Sequence, residues 1–116
     1  MSIPYEQRSA AKRAKQHTLI PVEWRLKTIP SVDSEANALE YIRKSQLLTA
    51  RELAITETSD APALLRKLAR RELLSLEVTR AFAKRAAIAH QLTTCCTEIF
   101  FEDAFEHAKL LDDVLA

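Results

Sequence analysis

Apolar positions recur most regularly between Ser75 and Asp113, and the rest of the chain is arranged around that stretch. Val78, Phe82, Ala86, Ala89 and Leu92 follow in steps of three and four, which places them on one stripe of an amphipathic helix. Arg80, Lys84 and Gln91 fall off the stripe. Ser75 stands where a hydroxyl can cap the first turn, and Glu77 puts negative charge at the positive end of the helix. The β-branched pair Thr93-Thr94 predicts a stop. Cys96 to Phe101 (CTEIFF) is rich in strand formers and predicts a short strand. Glu102 and Asp103 then open a second helix with apolar positions at Phe105, Ala108, Leu110 and Leu111.

Upstream, Ala10, Ala11 and Ala14 support a helix made basic by Arg8, Lys12, Arg13 and Lys15. Pro21 and Pro30 bias Ile20 and Ile29 away from helix, so 19–30 reads as an extended connector, and the single tryptophan Trp24 docks it onto the body, with a ligand or partner anchor as the alternative. A helix follows over 31–45, with Ser31 or Asp33 as cap and Ala38, Leu39 and Ile42 as its apolar face. Thr49 and Glu52 form a capping box that starts a short helix running to about Ile55. Ser59 or Asp60 caps the next helix, where Pro62 sits harmlessly in the first turn. Its stripe is Leu64, Leu65, Leu68 and Ala69. The fold class expected is mainly α: several helices with extended connectors and one short strand at about Cys96–Phe101. The chain reads as a single partial domain over 1–116, with a basic terminal helix over 1–18, a connector over 19–30 and a helical body over 31–116. A lone strand leaves its ladder unpaired, so it calls for a second copy or for residues from elsewhere.

Composition narrows the chemistry. Among 116 residues there is no glycine, where ordinary usage of about 7% predicts roughly eight. That removes phosphate-cradling loops, dinucleotide fingerprints and the G-x-S-x-G nucleophile elbow. A net charge of +1 is not tuned for nucleic acid or an acidic membrane. No run approaches the ~18 apolar residues of a membrane span, and residues 1–17 lack the apolar core of a secretory signal. The expectation is a cytoplasmic protein.

Each candidate for chemistry has a plainer alternative. Cys95 and Cys96 are adjacent, without C-x-x-C metal spacing, and a thiol activated by His90 competes with inert cysteine. His107 lies one turn beyond Asp103, enough for two ligands on one helical face but no more. Arg66, Lys67, Arg70 and Arg71 offer an anion site or simply complement a helix dipole. The acidic residues Glu102, Asp103, Glu106, Asp112 and Asp113 fall around a helix and read as a solvated face. Ser75 and Lys84 would lie ~13 Å apart along one helix, too far to work together. The basic terminal helix lacks the interleaved aromatics of a nucleic-acid surface.

Four segments in order resemble the N-terminal region of amidase-signature hydrolases, nearest to an acetamidase-like branch. They are Ile20–Leu26 (IPVEWRL), Leu48–Thr56 (LTARELAIT), Ser75–Phe82 (SLEVTRAF) and Arg85–Leu92 (RAAIAHQL) running on to Phe101, and the likeness spans roughly residues 4 to 115. The resemblance implies a piece of a larger α/β fold that hydrolyses carbon–nitrogen bonds of small amides with a serine nucleophile, a bridging second serine and a lysine base. Those groups belong to a later part of the family's chain, so no catalytic, cofactor-binding or metal residue is carried over and no cofactor is implied. This segment is expected to be inactive alone, its partner being the remainder of an amidase fold or a second copy paired at the strand edge. The alternative is a stand-alone helical module for protein interaction or self-association. Gln46 and Arg71 stand where the family often carries glycine, which would permit positive φ; either those turns are rebuilt, or this copy has drifted without selection for the full fold.

Overall fold

A computed structural model describes residues 4–29, 37–58 and 60–116. Six α-helices run in order among them: α1 Tyr5–Leu19, α2 Ala38–Lys44, α3 Ala50–Thr56, α4 Ala61–Ala69, α5 Ser75–Thr93 and α6 Phe101–Leu115. A single 3-10 turn, Val22–Trp24, interrupts the connector after α1. None of the helices is long and apolar enough to cross a membrane.

The local signals that start helices work as the residues demand. Thr49 Oγ1 accepts the Glu52 N–H at 3.1 Å, and Glu52 Oε1 accepts the Thr49 N–H at 2.9 Å, which completes the capping box of α3. Pro62 lies in the first turn of α4, where its missing N–H costs nothing. Asn37 caps α2 by accepting the Leu39 N–H at 2.9 Å. The expected caps Ser31, Asp33 and Ser59 lie outside the described residues.

The long helix α5 is the axis of the molecule, and it enters all three clusters of the core. Ala83 and Ala87 pack with Ile20, Trp24 and Ile99. Val78 and Ala81 pack with Ile55 and Leu73, and Ile88 packs with Ile42 and Leu48. The single stripe expected on α5 is therefore too narrow. Phe82 is 42% exposed, while Ala81, Ala83 and Ala87 are buried. The helix is enclosed on two sides, by α2 and α3 and by α6 with the Trp24 turn, and alanine lets each neighbour approach closely.

The expected strand at Cys96–Phe101 is not there, and no strand occurs among the described residues. Residues 94–100 are a connector, and Phe101 already belongs to α6. The reason lies in the hydrogen bonds. Gln16 Nε2 on α1 donates to the Cys96 and Thr97 carbonyls at 3.0 and 2.8 Å, and the Cys96 N–H donates to His90 Nδ1 at 3.1 Å. Side chains thus supply what a ladder would have supplied. Ile99 is buried between Trp24 and α5, so β-forming residues here serve packing. The proposed strand edge for self-association disappears with the strand.

The turns at the two glycine-like positions are not rebuilt. Gln46 and Arg71 hold φ of 59° and 58°, and Thr94, which ends α5, holds 52°. All three are exposed residues in the left-handed region, which glycine tolerates and a Cβ opposes by roughly 1–2 kcal/mol each. The molecule is also open. Its radius of gyration is 16.5 Å, against about 13 Å for a compact chain of this length.

Candidate functional site

His90, Cys95 and Cys96 are the one group of three ligand-type side chains gathered among the described residues, with their donor atoms within 4.8 Å of one another. The left-handed turn at Thr94 brings them together: it ends α5 and folds the next two residues back toward His90. His90 is buried, and its Nδ1 already accepts the Cys96 N–H, which puts the ring proton on Nε2. Burial pushes the Cys96 thiol up, and the neighbouring Cys95 pushes it in the same direction. The two sulfurs lie 4.0 Å apart and both cysteines are free. A nucleophilic cysteine needs the opposite conditions, a lowered pKa and a free base. This cluster fastens the end of α5 and is not arranged for thiolate chemistry.

The remaining candidates separate in space. Lys84 Nζ pairs with Glu52 Oε1 at 3.0 Å, and both side chains are largely buried. Burial pushes the Glu52 carboxyl up, but the Thr49 N–H and the Lys84 ammonium more than reverse this, leaving it below its ordinary value. Ser75 is far from that pair and is occupied elsewhere. Its N–H and that of Leu76 donate to the two carboxylate oxygens of Asp112, at 2.6 and 3.0 Å. So the cap of α5 is Asp112 from α6. Ser75 is the first residue inside the helix rather than its cap.

Arg66, Lys67, Arg70 and Arg71 are all exposed at the end of α4, where they suit its dipole. Arg71 Nη1 donates to the Asp112 carbonyl at 3.2 Å, and Arg66 faces Asp60 at 3.9 Å. Asp103 and His107 line separate recesses, Asp103 beside Phe100 and His107 beside Leu68. On α1, Lys12 pairs with Glu98 and Arg13 donates to Ser9 at 2.8 Å. Trp24 is buried and meets Phe101 and Phe105 edge-on at 5.8 and 6.2 Å. It docks the connector, as its isolation in the sequence suggested.

Two further residues with structural roles were not legible in the sequence. Gln91, off the expected stripe, accepts the Leu26 N–H at 2.7 Å and donates to the Trp24 carbonyl at 2.9 Å, which straps the connector to α5. Gln16 is buried in an otherwise largely exposed helix because it ties α1 to the 94–100 connector. No periodic pattern marks either one, since their partners lie more than sixty residues away.

No known family profile matches the chain. Individual proteins do. Over 98% of its length the chain is 46% identical to an amidase of Gibberella moniliformis, and over 97% it is 46% identical to an acetamidase of Emericella nidulans. A putative amidase of Schizosaccharomyces pombe is 38% identical across the whole chain. The chain spans only 22%, 20% and 22% of these three proteins. Among solved structures a fatty acid amide hydrolase superposes on 90% of this chain and 19% of its own, with a TM-score of 0.80 and 35% identity. In sequence and in fold alike, the chain corresponds to a segment, about a fifth of the length, of amidase-type proteins.

Proposed function

We propose that the chain serves carbon–nitrogen bond hydrolysis of small amides as a structural part, bracing a catalytic remainder and doing no chemistry itself. The observation that carries the reading is the match of nearly the whole chain to about a fifth of several amidases. The polar groups that looked reactive support it. Asp112, His90 and Lys84 are each engaged by a helix end, a connector or an ion pair. The serines and lysine that attack and protonate an amide belong, on this reading, to the other four-fifths of the fold. A cytoplasmic home is part of the same proposal, and two free cysteines suit a reducing compartment.

The test is ammonia release from acetamide by the purified chain. The expected rate equals the blank. Turnover that disappears when one residue of this chain is substituted would refute the proposal.

A further inference from the structure

One side of the molecule is closed by charge and another is left apolar. Where α2 and α3 meet α5, Arg43 and Arg85 share Glu57, Lys84 pairs with Glu52, and Arg51 pairs with Glu77. Such a margin suits solvent. Between α4, the start of α5 and α6 lies a groove of ≈ 350 Å³ floored by Leu68, Val78 and Ala108, with Leu111 at its lip. Beyond that lip α6 also exposes Leu110 and Val114, 60% and 77%. Leu110 and Val114 are one turn apart and form a stripe of their own, while Leu111, about 100° round the helix from Leu110, lies between that stripe and Ala108.

That stripe is additional to the one α6 turns toward the core. Phe101, Phe105 and Ala108 already pack on that side, the phenylalanines against Trp24 and its cluster and Ala108 buried. A helix apolar on two sides is one that is covered on two sides, and the described residues cover only one. The amidases it matches are about five times as long, and so carry the additional chain needed to lie on the second side. The excess radius of gyration points the same way, to a plate that packs against something more.

We propose that the α4–α6 groove, with Leu111 at its lip and the Leu110–Val114 stripe beside it, is the face against which the rest of an amidase-type fold packs through an apolar surface. The inference rests on the bracing role proposed above and adds the place of contact.

The test uses the Emericella nidulans acetamidase with this chain exchanged for its matching fifth, beside the chain alone. Leu110→Asp with Val114→Asp should leave the isolated chain melting within about 2 °C of the parent, since both residues are exposed there. In the exchanged acetamidase the same pair should cut soluble yield more than tenfold. Hydrogen exchange supplies a reading free of substitution: amides of 101–115 should be at least tenfold better protected in the acetamidase than in the chain alone. Unchanged yield together with unchanged protection would overturn the proposal. So would light scattering showing the isolated chain as a dimer that Val114→Asp dissociates, because the occupant would then be a second copy. An unsubstituted exchange that fails to fold would instead remove the bracing role itself, and this inference with it.

Discussion

Removing the Asp112 carboxylate is the sharpest test of how the two long helices are joined. Its oxygens accept the Ser75 and Leu76 N–H groups at 2.6 and 3.0 Å, so one side chain satisfies two donors at the start of α5. Loss of an ordinary N-cap costs about 1 kcal/mol, and bonds to a charged acceptor lie toward the upper end of that range. The charge also faces the positive end of a nineteen-residue helix. Asp112→Ala should therefore cost about 2 kcal/mol, or roughly 8 °C in melting temperature for a chain of this size. The neighbouring Asp113→Ala, exposed and outside the cap, should fall within about 0.5 kcal/mol of the parent. Ser75→Pro deletes one donor while keeping helical φ at the first position, and Leu74 at φ −95°, ψ 148° already has the backbone a following proline requires. Combined with Asp112→Ala it should cost less than the two changes summed.

The cap also predicts a pH dependence. Burial pushes the Asp112 carboxyl up, but the Leu76 and Ser75 N–H groups hold it below its ordinary 3.8. A group whose folded pKa is lowered stabilises the fold above the unfolded value and loses that contribution as pH falls through the folded one. The difference between parent and Asp112→Asn should be constant above about pH 5 and shrink in acid below the ordinary carboxylate value. Thermal melts followed by circular dichroism between pH 2.5 and 7 measure it. An Asp112→Ala variant melting with Asp113→Ala, or a parent–Asn difference that is flat with pH, would refute the argument.

Glycine at Gln46, Arg71 and Thr94 should relieve about 1–2 kcal/mol of left-handed strain at each, less about 0.5–1 of added unfolded-state entropy. The triple variant should gain about 1–3 kcal/mol in urea unfolding, with Arg71→Gly giving least because it also loses the bond to the Asp112 carbonyl. Trp24→Ala empties the contact with Phe101 and Phe105 and should cost about 3–5 kcal/mol, seen as loss of helical ellipticity at 25 °C. Titration with a chromogenic disulfide should label exposed Cys95 first and Cys96, with its raised pKa, several-fold more slowly. Cys95→Ser should remove the fast phase, and a fast phase that persists would contradict the geometry.

What was legible in the sequence was local. The Thr49–Glu52 box, the Pro62 start and the docking role of Trp24 follow from residues and their near neighbours, and each stands in the structure. What was illegible depends on partners distant along the chain. Asp112 caps a helix that begins 37 residues earlier, and within its own helix it is one carboxylate of a solvated-looking acidic set. Cys96–Phe101 has the propensity of a strand, but Gln16 and His90 claim its hydrogen-bonding groups. The width of the buried surface on α5 was missed because alanine is a weak signal of burial in a helix, although three of that helix's six buried residues are alanine. The resemblance marked Gln46 and Arg71 as places where glycine would permit positive φ but left open whether the turns were rebuilt; both residues hold positive φ with exposed side chains.

The central claim is that this segment supports amide hydrolysis that other residues perform. The most direct measurement is acetamide turnover by the Emericella nidulans acetamidase carrying this chain in place of its own matching fifth. The account predicts a folded protein that releases ammonia at a rate within about tenfold of the parent enzyme. A protein that folds and melts like the parent, yet releases none, would contradict it.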